Sequence, residues 1–209
     1  MSIINLIFDM DGCLINSSEV QKASYFGSYK EIVGDNNCPP FSEYMKYTGD
    51  SLPNIFTKMG LPVEMAESYR KISRKAIDKI IVNKEVIELI KEYRDKGSKV
   101  AICTGKDHLR AQEILDYYNI SHLFDALVSS DDVINPKPAP DSIVKALELM
   151  NVNRKNTIVI GDGYSDIISA KEAGLVSVLT FWYGDEGVPR KADYYANTVA
   201  DLKLILKGL

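Results

Sequence analysis

The sequence predicts an α/β fold: a doubly wound parallel sheet with a helical domain inserted after its first strand. Three observations carry this. From about residue 84 onward, short apolar runs rich in β-branched residues alternate with stretches of helical period, the pattern of a parallel sheet covered by helices on both faces. One more such run, residues 3–8, stands far ahead of the rest and stops abruptly at Asp9-Met10-Asp11-Gly12. Between about 16 and 82 the alternation fails and helical spacing dominates.

Taken in order, Ile3 to Phe8 reads as a buried strand with an acidic end. Val20, Ala23, Phe26 and Tyr29 predict one amphipathic helix of the insert, and Tyr69, Ile72, Ala76 and Ile80 a second. Val86, Leu89, Ile90 and Tyr93 recur at i, i+3, i+4 and i+7, with Asn83 as N-cap and Gly97 past the end. Lys99 to Cys103 is a strand that runs into Thr104-Gly105. A helix follows over 107–118, a strand over 126–129 and a helix over 141–150. Thr157 to Ile160 is a strand ending in Gly161-Asp162-Gly163. Residues 165–173 are helical up to Gly174, and 175–180 form a last apolar strand. The expected boundaries are an α/β core of 1–15 and 84–209, with a helical domain of 16–83.

Composition excludes several classes. In 209 residues, 45% are hydrophobic and 26% charged, enough to bury a core and too apolar for wholesale disorder. Lys and Arg number 25 against 29 Asp and Glu, a net charge of −4, so no general field favours nucleic acid or an anionic membrane, and neither is expected as a partner. Cys13, Cys38 and Cys103 are too few and scattered for a disulfide framework, and with His108 and His122 they show no zinc spacing. The apolar start lacks the basic flank of a signal peptide, since no Lys or Arg precedes Lys22, and no apolar run reaches the length of a membrane span. A soluble, cytoplasmic protein is expected.

The polar landmarks fall where predicted strands give way to loops. Asp9 and Asp11 follow the first strand, Thr104 the second and Asp162 the fourth, with Lys137 after the third. A doubly wound sheet gathers such points at one edge, and residues two apart in extended chain face the same way, so Asp9 and Asp11 point into one site. Carboxylates converging there repel one another unless a cation lies among them. Hard oxygen ligands without imidazole or thiolate suit Mg²⁺. With the Lys137 ammonium and the Thr104 hydroxyl added, such a pocket is built for a phosphoryl group.

Phe8-Asp9-Met10-Asp11-Gly12, Cys103-Thr104-Gly105, Lys137-Pro138-Ala139-Pro140 and Gly161-Asp162-Gly163-Tyr164-Ser165-Asp166 resemble, in order, the four motifs of the haloacid dehalogenase-like hydrolase superfamily. Ala192-Asp193-Tyr194-Tyr195 and the apolar stretch after it resemble the branch of phosphoglycolate phosphatases and β-phosphoglucomutase. The resemblance implies that Asp9 is the nucleophile, forming an aspartyl-phosphate and ligating Mg²⁺. It implies that Asp11 protonates the leaving alcohol and then activates water, with its backbone carbonyl on the metal. Thr104, with Gly105 beside it, would bind the phosphoryl oxygens, and Lys137 would steady the nucleophile. Asp162 would be the second metal carboxylate and Asp166 an outer ligand through water or a partner of Lys137. The insert would be a cap closing over the site, hinged at Asn16–Ser18 and about 80–84, with Lys46, Thr48 and Asp50 as its contacts to substrate. The implied function is a Mg²⁺-dependent phosphoric monoester hydrolase acting on a small phosphorylated metabolite, similar to phosphoglycolate phosphatase.

Other readings fit less well. Gly161-Asp162-Gly163 lacks the third glycine of a dinucleotide fingerprint because Asp166 stands there, and Asp107 follows Lys106 where a P-loop needs Ser or Thr. A sugar phosphomutase resembling β-phosphoglucomutase would carry an arginine in its cap loop, which here reads Lys46-Tyr47-Thr48-Gly49-Asp50-Ser51-Leu52. A receiver-like phospho-switch is far shorter and has no helical insert. Dehalogenation has no need of Asp11. Cys13 and Cys103 read as small buried hydrophobes, and Trp182 as packing.

Overall fold

In a computed structural model, which describes residues 3–184 and 191–209, six parallel strands form the central sheet. These are β1 (Asn5–Phe8), β4 (Val100–Cys103), β5 (Ala126–Val128), β6 (Thr157–Gly161), β7 (Val176–Thr180) and β8 (Tyr194–Ala196), in the order β5-β4-β1-β6-β7-β8. From β1 the chain winds outward through β4 to β5, then returns past β1 to β6 and winds the other way. The reversal places a crevice at the carboxyl ends of β4, β1 and β6, where open α/β sheets bind ligands.

Period-two alternation divides the core into two layers. Leu6 and Phe8, Val100 and Ile102, Ile158 and Ile160 face α5 (Lys84–Asp95), α6 (His108–Tyr117) and α9 (Val199–Gly208). Ile7, Ala101, Cys103 and Val159 face α7 (Asp141–Met150) and α8 (Tyr164–Glu172). Helix starts follow capping chemistry. Asn83 accepts from the Val86 N–H at 3.2 Å, Asp107 from the Arg110 N–H at 3.0 Å, and Thr198 from the Asp201 N–H at 3.1 Å.

The insert is helical: α1 (Ser18–Ile32), α2 (Phe41–Met45), α3 (Leu52–Lys58) and α4 (Met65–Lys75). Its own core is aromatic, with Tyr25, Tyr29, Tyr44, Phe56 and Tyr69 around Ile55 and Met65. Two features differ from the spacing. Ala23 and Phe26 are exposed, and α1 buries Gln21, Ser24 and Ser28 beside Tyr25 and Tyr29, so its inner face is far more polar than the apolar pattern suggested. The second helix starts earlier and ends at Lys75; a 3₁₀ turn, Ile77–Lys79, leads to Ile80, which lies off the helix and packs into the core of the sheet. The chain enters and leaves the insert through a short antiparallel pair, β2 (Ile15–Asn16) and β3 (Ile81–Val82), with Ile15 opposite Val82 and Asn16 opposite Ile81. Among the described residues no helix is long and apolar enough to cross a membrane.

Candidate active site

The site starts from β1. The Asp9 N–H still donates to Ile160 O at 2.8 Å, so the sheet ladder fixes the first residue beyond the strand. The chain then folds back, with Met10 O accepting from the N–H groups of Leu14 and Ile15. Gly12 makes the turn possible at φ +69°, and a Cβ there would lie 1.7 Å from an Asp162 carboxylate oxygen. This close approach brings the loop after β1 against the loop after β6.

Lys137 is the centre of the corner. Only 3% exposed, its Nζ donates to Asp9 Oδ1 at 2.6 Å, to Asp166 Oδ1 at 2.5 Å and to Cys103 O at 3.0 Å. All three ammonium hydrogens thus have acceptors, the condition under which a buried charge is tolerated. The other oxygen of Asp166 accepts from the Gly163 N–H at 2.9 Å, so this residue also fixes the start of α8. Thr104, buried at the end of β4, is held by its N–H to Val128 O at 3.0 Å, and its hydroxyl accepts from the Lys106 N–H at 3.2 Å.

Oxygens of Asp9, Asp162 and Asp166 lie within 4.8 Å of one another. Burial, with Asp166 and Asp11 adding repulsion against the pull of Lys137, pushes the Asp9 carboxyl up to about 7. Burial, then Asp9, Asp166 and Asp11, raises Asp162 well above the carboxylate range. The single ammonium leaves this group short of positive charge, and an all-oxygen donor set of this kind fits a hard divalent cation. The Asp11 carboxylate stands outside the trio. It accepts from the Ser17 hydroxyl and pairs with Lys106 Nζ at 2.7 Å.

The insert closes onto this corner. A Cβ on Gly105 would come within 2.4 Å of Gly49 O, and Ser165 Oγ reaches Thr48 O at 3.5 Å. Arg70 of α4 pairs with Asp107 at 2.9 Å, and Arg74 pairs with Glu113 at 3.2 Å. Of the insert residues singled out from the sequence, Thr48 and Asp50 line a cavity that also holds Asp9, Asp11 and Gly105. The Thr48 hydroxyl donates to Met45 O at 2.8 Å. Buried Asp50 accepts from the Ser51 N–H and Asn54 and pairs with Lys58 at 2.7 Å, which ties down its own loop. Lys46 lies on the exposed side, paired with Glu43 at 2.6 Å, and with Thr48 and Asp50 it borders a wider cleft of about 830 Å³ that reaches Lys137 and Asp162.

The inner cavity, about 60 Å³, also takes in Gln21, Tyr44, Tyr69, Lys106 and Arg110. Sequence spacing missed these residues. Nothing in the spacing sets Arg110 apart: it stands beside the apolar positions Ala111, Ile114 and Leu115 of α6, and only the structure shows it 4% exposed. Cys13 and Cys103 are buried free thiols that donate to Ile160 O and Ser142 O, and burial pushes Cys103 up to about 12. Trp182 packs on the core and donates to Cys13 O at 3.0 Å.

Residues 6–180 match the family model for haloacid dehalogenase-like hydrolase. Pyrophosphatase PpaX of Bacillus cereus is 30% identical over 215 residues, covering 100% of this chain and 99% of that protein. A structure described as a predicted phosphatase from Clostridium acetobutylicum superposes with a TM-score of 0.83 at 25% identity, covering 100% of both chains. A hydrolase from Pseudomonas syringae shares the fold at TM-score 0.85 and 20% identity, over 99% of each chain.

Proposed function

The chain belongs to the haloacid dehalogenase-like hydrolase family, and from that premise we propose that it is a Mg²⁺-dependent phosphatase of small phosphorylated compounds, working through an aspartyl-phosphate on Asp9. The observation that carries the reading is the Lys137 ammonium held between Asp9 and Asp166, within the trio of carboxylates at the ends of β1 and β6.

Asp9, Asp162 and Asp166 are the residues that would hold the metal, with Asp166 acting directly or through water. When bound, Mg²⁺ supplies the positive charge that lets an anionic carboxylate approach an anionic phosphate. Lys137 fixes one Asp9 oxygen, leaving the other to attack phosphorus as the bond to the leaving oxygen breaks. Thr104 and the backbone beside Gly105 bind the phosphoryl oxygens. Asp11 gives a proton to the leaving oxygen, then takes one from the water that attacks the aspartyl-phosphate, freeing Asp9 and inorganic phosphate.

Residues 16–83 act in this reading as a cap over a core of 1–15 and 84–209. They exclude water while Thr48 and Asp50 frame the leaving group. The relatives named pyrophosphatase PpaX place inorganic pyrophosphate beside phosphoglycolate at the head of the substrates to test. A cytoplasmic location suits a small soluble metabolite.

The test is phosphate release from a panel of phosphorylated metabolites with Mg²⁺ and with EDTA, for the wild type and Asp9→Asn. Metal-dependent release that vanishes in the variant supports the reading. No release from any compound, with Asp9 still becoming phosphorylated, overturns it in favour of a phosphomutase or a phospho-switch.

A further inference from the structure

We propose that Arg110 sets substrate choice by binding a second anionic group on the leaving side of the substrate, so that the preferred compounds carry negative charge at both ends. The inference rests on the phosphatase reading of Asp9 and goes beyond it.

Three cations line the inner cavity: Arg70, Lys106 and Arg110. Two are spent on direct pairs. Arg70 holds Asp107 at 2.9 Å and Lys106 holds Asp11 at 2.7 Å. Arg110 is different. Its Nη2 donates to Ser73 O at 2.7 Å, while Nε and Nη1 are buried without a hydrogen-bond partner. Nη1 lies 3.5 Å from Glu113, within ion-pair range only, and Glu113 already accepts from Arg74. Buried guanidinium donors left unpaired are costly and rare, and beside a cavity they mark where an acceptor belongs.

The position fits. Asp9 and Asp11 open onto the same cavity as Arg110, so a leaving group that extends into it from Asp9 meets Arg110. The buried amide of Gln21, whose oxygen also lacks a partner, lines the same wall. A space of about 60 Å³ is several times the 10–15 Å³ that a single water requires. That admits a second phosphate or a short carboxylate arm. The shared chemistry is therefore a compact phosphate compound whose leaving group bears its own charge.

The experiment compares wild type, Arg110→Met and Arg110→Lys on three substrates: inorganic pyrophosphate, 2-phosphoglycolate and acetyl phosphate, whose acyl arm is uncharged. Arg110→Met is expected to lower kcat/KM by about 100-fold or more for the charged-arm substrate the enzyme prefers and by less than about fivefold for acetyl phosphate. Lysine should recover part of the loss. The better of the two charged substrates tells phosphate from carboxylate. Equal losses on all three, or none, overturn the proposal. Calorimetric titration with methylenediphosphonate and methylphosphonate judges Arg110 without turnover. Tighter binding of the diphosphonate that Arg110→Met erases supports the subsite, and equal binding of the two by wild type overturns it. Wild type that binds the diphosphonate through Arg110 yet hydrolyses nothing defeats the Asp9 reading alone.

Discussion

At the sheet edge, Asp9, Thr104 and Lys137 sit one step beyond a strand or in a loop braced by one, and Lys137 meets three acceptors within 3.0 Å. In the inner cavity next to it, Gln21, Tyr44, Tyr69 and Arg110 come from α1, α2, α4 and α6, and Arg110 and Gln21 keep polar atoms without partners. In one region the buried ammonium is fully hydrogen-bonded and a backbone ladder holds the strand ends. The other is assembled from helix faces and leaves hydrogen-bonding capacity unused. Under the proposed function, the first is a rigid part that treats every phosphoryl group alike and the second a part whose open valences choose what the phosphoryl group is attached to.

That contrast can be broken at several points. Asp9→Asn should have the largest effect, lowering kcat by at least about 10³-fold while the melting profile stays cooperative, because it removes the proposed nucleophile and keeps its volume. A smaller loss in phosphate-release assays would remove Asp9 from the chemistry. Lys137→Met should destabilise the fold by about 3–5 kcal/mol in urea titrations with EDTA, since it strands two buried carboxylates. A loss below about 1 kcal/mol would mean that the two carboxylates find other partners, and that the corner is less rigidly held than its geometry suggests. Gly105→Ala puts a methyl within 2.4 Å of Gly49 O, so it should hold the insert off the sheet and lower kcat/KM about 10- to 100-fold without changing core stability. Unaltered kinetics would show that closure does not matter. The smallest effect belongs to Tyr69→Phe, which removes the acceptor of the buried Tyr44 hydroxyl at 3.1 Å and should cost about 1 kcal/mol in the same titration. A larger cost would show that the cavity wall is as tightly braced as the sheet edge.

The same division governs what could be read from the chain. β1, β4, β6 and β7 announce themselves as apolar runs because both faces of a parallel strand are buried. Residues just past them inherit fixed positions, so Asp9, Thr104 and Asp162 are visible at a glance. The insert gives no such signal. α1 buries Ser24 and Ser28, whose hydroxyls bond to Val20 O and Tyr25 O, and Gly27 lies where Ile72 of α4 comes close, so its inner face is set by small size rather than apolarity. That is why Phe26 looked buried and is exposed. α2 and α3 are too short to show a period. Arg110 reads from sequence as one more surface arginine, because only the docking of Ser73 onto it reveals its burial.

The two-strand stalk, β2 and β3, has a consequence for how the protein can vary. Because Asn16 lies opposite Ile81, the ends of the insert are already as near as the ends of a hairpin. Whatever lies between them is a closed excursion, tied to the core of the sheet through Val20, Ile77 and Ile80 near its two ends. Closing a longer excursion costs only about 0.6 kcal/mol per doubling of its length. The stretch between Val20 and Ile80, whose side chains both pack into the core of the sheet, can therefore be lengthened or traded for another helical segment while the six strands keep their order. The surroundings that the insert supplies are thereby separable from the sheet at the level of the gene, since one contiguous stretch of codons encodes them, while Arg110 of α6 stays with the sheet.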